Sequence, residues 1–366
     1  MAVAVPAAAA APRLKPVDLA ALPGFAADDH GAAFDAFLVS CRSIAAAEPP
    51  LRAGLAPSPA LVAVCRAALR AEPAAASAFF TDHFQAFALE DDGFLTGYYE
   101  PQVDGALTPE PGFATPLLAR PHDLITLADG ETFEGLAAAG RGPDGGLFAY
   151  PDRAAIDAGA LGARARPLVY VRDPIEAFMI HVQGSARVRL ADGRVLRLTY
   201  AGRNGRPYSS IGKALVDQGG MPLADMTLAR LKQWVRDHGQ GPGEAGRALI
   251  ERNQSYIFFK REDAVDPALG PIGGAGAPLT PLRSIAIDRT VWAYGLPFFV
   301  DAALPWREAG RAEPFQRVMI AQDTGTAIVG PARVDLFFGS GDAAGARAGD
   351  IRHTGKVYVL LPKAAL

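Results

Sequence analysis

Residues 322–341 read QDTGTAIVGPARVDLFFGSG, with Asp323 and Asp335 twelve positions apart. Val318, Met319, Ile320 and Ala321 precede the first aspartate; Val334, Leu336, Phe337 and Phe338 surround the second. Gly325, Gly330, Pro331, Gly339 and Gly341 divide the stretch into short extended runs joined by turns. A third aspartate, Asp288, ends a similar run, SIAID over 284–288. Taken singly, an aspartate in such a place caps a turn. Three of them in apolar runs ask for more, because a buried charge is costly unless it is paired or neutralised. Crowded, poorly solvated carboxylates repel one another, and one then stays protonated near neutral pH. A protonated carboxylic acid is what a glycosidic or acyl leaving group requires.

The 366-residue chain has room for two ordinary domains. Half of its residues are apolar, a fifth are charged and the net charge is −3, which argues against a nucleic-acid ligand. Glycine (39) and proline (30) are plentiful, as suits many turns and short strands. No apolar run reaches the ~18 residues of a membrane span. The six histidines are scattered and no Cys/His grouping has zinc spacing, so no metal is expected. Cys41 and Cys65 both fall in helical apolar patterns; buried thiols are the default expectation and a disulfide the alternative. The start, MAVAVPAAAAAP, lacks a basic n-region and is broken by Pro6 and Pro12. Residues 1–29 read as a flexible tail or the remnant of a signal peptide.

Periodicity predicts helices over 30–47, over 58–70 with Ser58 as N-cap and Pro59 in the first turn, and over 73–87. Residues 94–101 read as a strand that ends at proline, with Tyr98 and Tyr99 on opposite faces. Residues 103–147 are rich in Gly, Pro and Asp, and a short helix carrying Arg153 follows over 152–160. Strands are expected over 168–172, 176–182, 186–190 and 194–200, the last two joined by a hairpin turn at Asp192-Gly193. Helices follow from Ser209 or Ser210 to Asp217, from Thr227 to His238 and over 243–253, then a buried strand over 255–260. Beyond lie only strands and turns: 284–288, 298–300, 318–322, 327–329, 333–338 and 356–361. A Gly-rich, many-stranded end of this kind suggests a small barrel.

Asp323-Thr324-Gly325 matches the aspartic-protease tripeptide, but that chemistry needs two carboxylates and no second copy is present. The glycine-rich run 273–276 has Pro278 close behind it and no helix to follow, so it is not a phosphate loop. No G-x-S-x-G supports a hydrolase serine. Tyr98, Tyr99, Gln183, Ser185, Asn204, Tyr208 and Ser209 supply the uncharged polar and aromatic groups by which sugars are bound. Singly, each reads more simply as a core tyrosine or a satisfied turn.

Taken in order, LTGYYEP (95–101), YPDRAAIDAGAL (150–161), HVQGSARVRL (181–190), YAGRNGRPYSSIGKAL (200–215), NQSYIFFK (253–260) and the three-aspartate end resemble the membrane-bound lytic murein transglycosylase A family. The C-terminal part resembles its 3D domain, whose three aspartates fall on Asp288, Asp323 and Asp335. The resemblance implies a mainly β fold with N-terminal helices. A double-psi β-barrel catalytic domain (30–102 and 254–366) is expected, with a second, barrel-like glycan-binding domain inserted at 103–253 and a groove between them. It implies cleavage of the β-1,4 bond between N-acetylmuramic acid and N-acetylglucosamine in peptidoglycan, with a 1,6-anhydro ring on the product and no cofactor. The class expected is a peptidoglycan lytic exotransglycosylase, a periplasmic monomer whose partner is the glycan strand. The family carries a lipoprotein cysteine near its start; Cys41 is too deep to be one, so a longer start with an export signal is expected, with association with the outer membrane left to that longer form. Ala186 replaces a glycine of the Gln-Gly-Ser motif, and the loop from Asp323 to Asp335 is one residue longer than usual.

The mechanism the resemblance implies has Asp335 as the single acid and base, with Asp323 and Asp288 tuning it. Ordinary glycosidases use two carboxylates. Here the muramic acid C6 hydroxyl is the nucleophile, and intramolecular attack gains from proximity. Leu336, Phe337 and Phe338 together with the neighbouring aspartates would raise the Asp335 pKa. Thr96, Gly97, Tyr98, Gln183, Ser185 and Tyr208 are the expected substrate contacts. A polysaccharide-binding protein without activity, or a hydrolase of the same bond, are the alternatives, since fold alone does not fix activity.

Overall fold

The computed structural model describes residues 12–363 apart from 73–75, 91, 129, 264–265, 267–268 and 309. The chain divides into two units: Glu100–Asp266, and the described residues before and after it.

The outer unit is built on a closed six-stranded barrel. Around it run Arg352–Pro362, Pro297–Leu304, Glu313–Asp323, Ser284–Ala286, Arg333–Ser340 and Gly93–Glu100, which pairs back with Arg352–Pro362. Its core comes from strand positions that sequence marks as apolar; Ile285, Phe298, Val300, Phe315, Met319, Leu336 and Phe337 are all fully buried. The helix His30–Ala45 packs on this sheet, capped by Asp29, whose carboxylate accepts from Ala32 N at 3.0 Å. Its buried positions, Ala33, Phe34, Phe37, Ser40 and Cys41, repeat at helical spacing, and Phe34 and Phe37 meet Phe79, Phe80 and Phe84. Ser58 caps Pro59–Ala68 as the sequence predicts.

Five expectations in this unit are corrected. Residues 12–29 are not a tail: Leu14–Val17 pairs with Phe84–Leu89, and Leu19–Ala21 and Phe25–Ala27 are turns of 3-10 helix with Leu19 and Phe25 buried. The helix expected over 73–87 is Ala76–His83 followed by the strand Phe84–Leu89, because that segment completes the sheet beside Arg352–Pro362; Pro73 lies outside the described residues. Residues 327–329 form a loop rather than a strand, and Asp342–Gly349 is a helix where only strands and turns were expected. Cys41 and Cys65 are joined in a disulfide, not held as thiols, which ties the first two helices together. Closing a loop with a sequence separation of 24 should stabilise the fold by about 3 kcal/mol. The Cys41→Ala/Cys65→Ala chain is therefore expected to melt lower by that amount, and wild type to show no free thiol when denatured without reductant. Two titratable thiols would rule the bond out.

The middle unit carries a four-stranded sheet in the order Ile257–Glu262, Val195–Arg203, Ser185–Arg189, Gln102–Asp104. Thr115–Leu118 pairs with Pro167–Val171, and Leu124–Thr126, Ala138–Arg141 and Leu147–Ala149 form a third sheet. Isolated bridges link Ala106 to Tyr170 and Ala119 to Phe259, which joins the first two of these sheets at both ends and fits the barrel-like insert that was expected. The strand Ile257–Glu262 belongs here, with Phe259 opposite Tyr200, so the chain leaves this unit at Asp266 and not at 253. Residues 176–182, expected as a strand, are the helix Pro174–Gln183. Its start and stop signals are present: Asp173 accepts from Glu176 N, Pro174 stands in the first turn, and Gly184 closes it at φ 78°. Ile175, Ala177, Phe178, Met179 and Ile180 are all buried, so no periodicity betrays the helix.

Candidate active site

The short strand Ser284–Ala286 positions two carboxylates. Ala286 is the register partner of Asp323 on one side and of Asp335 on the other. The two aspartates thus flank a single residue, roughly 10 Å apart between their Cα atoms across two strand spacings. Gln322 fixes the first of these strands just before Asp323. It is fully buried, accepts from Ser284 Oγ and donates to Ala36 O at 3.0 Å and Ser40 Oγ at 2.9 Å.

Asp335 sits between Val334 and Leu336, with Phe337 buried beyond. Thr96, on Gly93–Glu100, donates its hydroxyl to Asp335 Oδ1 in a short hydrogen bond. Arg333 Nη2 in turn donates to Thr96 Oγ1 at 2.8 Å, and the Arg333 guanidinium lies 5.0 Å over the Phe94 ring. A guanidinium only donates, so the one Thr96 proton must point at Asp335. Burial pushes the Asp335 carboxyl up to about 6; the Thr96 bond and Arg333 oppose this, and Asp323 adds to it.

Asp323 is held differently. Its Oδ1 accepts from Gly274 N at 2.7 Å and Thr324 N at 2.8 Å, and its Oδ2 accepts from Tyr98 Oη at 2.9 Å. Burial raises its pKa, while these three donors and Arg52 pull the other way. The Tyr98 hydroxyl is driven well above its usual range by burial and by the two aspartates, so it stays a donor. Its ring lies 5.2 Å from Phe337.

Asp288 lies outside this pair of side chains. Oδ1 accepts from Thr290 N (2.9 Å) and Thr290 Oγ1 (2.7 Å), and Oδ2 from Gly330 N (2.7 Å). Buried at 6 % exposure, it pins the loop that joins Asp323 to Asp335, helped by Trp292 Nε1 on Pro331 O at 2.9 Å. This is the turn-capping use that the sequence offers for any lone aspartate.

The expected substrate contacts separate. Thr96 and Tyr98 reach the two carboxylates. Gly97 does not face open space: a Cβ there would stand 2.8 Å from the Ala348 backbone, so its smallness serves the helix Asp342–Gly349. Gln183, Ser185 and Tyr208 belong to the middle unit, Gln183 at the end of its helix and Ser185 at the start of a strand. Asn204 is fully buried and spent on structure, donating to Pro151 O and Gln254 O and accepting from Tyr256 N. Tyr99 packs on Gly345, where a Cβ would come within 2.7 Å of its ring.

Sequence reading missed Arg333, Gly274 and Arg52. Arg333 is two residues before Asp335, a spacing that puts both on one face of a strand. The glycine run at 273–276, set aside as a phosphate loop, wraps Asp323 instead. A Cβ on Gly274 would meet Tyr294 Oη at 2.8 Å and Asp323 Oδ1 at 3.4 Å. Arg52 donates to Thr324 O at 2.9 Å from a loop with no periodic signal.

Two family descriptions match the chain: "MltA specific insert domain" over residues 94–260 and "3D domain" over residues 283–361. A membrane-bound lytic murein transglycosylase A of Vibrio cholerae is 36% identical over 213 residues, 57% of this chain and 55% of that protein. The Escherichia coli protein of the same name is 32% identical over 269 residues, 73% of this chain and 65% of that protein. The match thus spans between half and two thirds of these relatives' length. Among solved structures, a membrane-bound lytic murein transglycosylase from Agrobacterium tumefaciens superposes with a TM-score of 0.86 at 34% identity, covering 96% of this chain and 98% of that one. Escherichia coli MltA with bound chitohexaose gives a TM-score of 0.65 at 25% identity, covering 97% and 93%. With the Agrobacterium structure matched over nearly its whole length, and with the insert and 3D regions each found where the aspartates and the middle unit lie, the chain belongs to the membrane-bound lytic murein transglycosylase A family.

Proposed function

We propose that this chain is a lytic transglycosylase that cleaves the β-1,4 bond between N-acetylmuramic acid and N-acetylglucosamine in peptidoglycan, with Asp335 as its only acid and base. The observation that carries this reading is the inequality of the two carboxyls. Among the described residues, hydrogen bonds reach both oxygens of Asp323, whereas Asp335 is anchored through Oδ1 alone. Oδ2 of Asp335 is left to hold the working proton. A hydrolase of this bond needs a second carboxyl free to attack or to activate water. One free carboxyl fits a reaction that brings its own nucleophile.

In the first half, Asp335 Oδ2–H protonates the leaving O4 of N-acetylglucosamine as the C1–O4 bond breaks. In the second, O6 of the muramic acid bonds to C1 and its proton passes to Asp335, which restores the acid. No water enters, and the step balances without a cofactor. Asp323, with Tyr98, orients the site and adds the charge that keeps Asp335 protonated. Asp288 acts on both through the loop. Thr96 and Tyr98, bonded to the two carboxylates, are the sugar contacts assigned to the outer unit, and Gln183, Ser185 and Tyr208 are the contacts assigned to the middle unit, read as the glycan-binding domain. The chitohexaose bound to the Escherichia coli relative supports a glycan ligand. The parallel pairing of Ser284–Ala286 with Glu313–Asp323 inside the closed barrel supports the double-psi description. Such a substrate is met in the periplasm, where the protein would act.

The test is mass spectrometry of the fragments released from purified sacculi: anhydro ends support the proposal, and reducing ends, one water heavier, would replace it with hydrolysis. The pH profile is a second test. The acid form must bind substrate, so kcat/KM should be level below the Asp335 pKa of about 6 and fall about tenfold per unit above it. Activity that holds level to pH 8 would remove Asp335 as the acid.

A further inference from the structure

A cavity of ≈ 450 Å³ opens within the middle unit, lined by Arg120, Arg166, Lys260 and Arg261, with Leu168 and Phe259 as apolar wall. Two of the four cations have carboxylate neighbours: Arg261 Nε on Asp263 Oδ1 at 2.7 Å, and Lys260 Nζ at 3.7 Å from Glu262 Oε1. Arg120 is bound by neutral groups instead. It donates to Ala201 O (2.8 Å), Leu124 O (2.9 Å) and Thr126 Oγ1 (3.2 Å), which use three of its five donors. Gly202 gives it room, since a Cβ there would stand 3.1 Å from Arg120 Nη1. These contacts hold the guanidinium rigidly, and no carboxylate bonds it among the described residues. Arg166 is exposed, with no carboxylate partner among the described residues. Among the described residues, four cations and two paired carboxylates therefore surround a concave, partly apolar space. The mechanism uses none of them.

We propose that this pocket binds the carboxylates of a peptide, and specifically of the peptide stems borne by the muramic acid of the substrate. The assignment rests on the peptidoglycan reading above. The glycan's own sugars are neutral at every ring, so a cationic pocket has no use for them. A stem peptide presents several carboxylates on short alkyl arms. Planar guanidinium groups pair with carboxylates two bonds at a time, and the pre-held Arg120 loses little freedom in doing so. The volume lies in the range of small-ligand pockets and takes a few residues, with Leu168 and Phe259 against the alkyl parts.

The experiment is calorimetry on the whole chain carrying Asp335→Asn, so that nothing turns over. The probe is a sugar-free stem tripeptide of alanine, glutamate and diaminopimelate, beside the same peptide with its carboxylates amidated, and inorganic phosphate. The acidic peptide is expected to bind with a Kd of about 1 mM or tighter and to weaken as salt rises. Amidation should cost about tenfold or more, and Arg166→Gln about three- to tenfold. Arg166 is exposed and has no carboxylate partner among the described residues, so its substitution should leave the fold intact; a melt checks this for Arg166→Gln and for Arg120→Gln, which is expected to cost more. Absence of binding at about 10 mM peptide, equal binding of the amidated peptide, or displacement by an equal concentration of phosphate would each overturn the proposal. The readout involves no cleavage, so its failure leaves the lytic reading standing, and a failure of the lytic reading shows instead in the muropeptide spectrum.

Discussion

Asp335→Asn is expected to lose nearly all release of anhydro-muropeptides while the protein folds as well as wild type or better. General acid–base catalysis is worth about 10²–10⁴-fold, and here one residue performs both proton transfers. Asparagine keeps the size, and its carbonyl can still accept from Thr96, so the Arg333–Thr96 chain stays in place. What is lost is the proton on the second oxygen. The stability effect has a definite sign. The folded pKa of Asp335 is raised to about 6, above the value of about 3.9 in an unfolded chain. The native state therefore binds the proton more tightly. Its contribution to stability is complete below about pH 4 and is lost as pH rises through 6. Asparagine, which never ionises, is spared that loss, and the variant should gain roughly 1–3 kcal/mol near pH 8 and nothing near pH 4. Asp323→Asn should reduce activity less completely, since it orients and charges the site without exchanging a proton; Asp288→Asn should be milder still. The assay is anhydro-muropeptide release with a thermal melt at pH 4 and pH 8 for each variant. A well-folded Asp335→Asn with near wild-type release would remove Asp335 from the mechanism.

Asp28→Ala is expected to destabilise the fold by about 3–5 kcal/mol, a drop of roughly 10 °C in melting temperature. Asp28 and Arg283 are both buried, with side chains 1% and 3% exposed. The carboxylate takes two guanidinium bonds, at 2.9 and 2.8 Å, and a third from Val318 N at 2.7 Å. Truncation leaves a buried cation with only the carbonyls of Val318 and Asp29 to satisfy it. Arg283 immediately precedes Ser284–Ala286, the strand that sets Asp323 and Asp335 in register, so lytic activity should fall along with stability. The paired change Asp28→Leu/Arg283→Met removes both charges and should recover much of the loss, because the penalty is the orphaned charge and not the missing attraction. A single variant melting within about 1 °C of wild type, or a double variant worse than the single, would contradict this account.

Local signals carried much of the secondary structure. Ser58, Ser210 and Thr227 each cap the helix they were expected to cap, and Asp192-Gly193 turns the hairpin between Ser185–Arg189 and Val195–Arg203. The aspartates at 323 and 335 stood out because charge beside fully apolar runs is readable without a fold. Other features were decided by partners distant in sequence. Phe84–Leu89 has no strand signal of its own and becomes one by pairing with Arg352–Pro362. The helix Pro174–Gln183 buries Ile175 and then four successive apolar residues, Ala177 to Ile180, which erases the period that would announce it. The N-terminal residues look like a tail until Asp28 meets Arg283, 255 positions away.

The sequence by itself determined which residues could do chemistry: residue types, an apolar setting and a motif order specify an acidic group poised to stay protonated. Only the tertiary structure decided how the three aspartates divide the work. Their side chains are chemically identical, and what differs is the set of donors brought to each from Thr96, Tyr98, Gly274 and Gly330, on segments that the barrel closes around them. Hydrogen bonds to both oxygens fix Asp323 and Asp288, and a bond to one oxygen leaves Asp335 able to exchange a proton. A pKa is a property of such surroundings, and the surroundings exist only once the chain has folded.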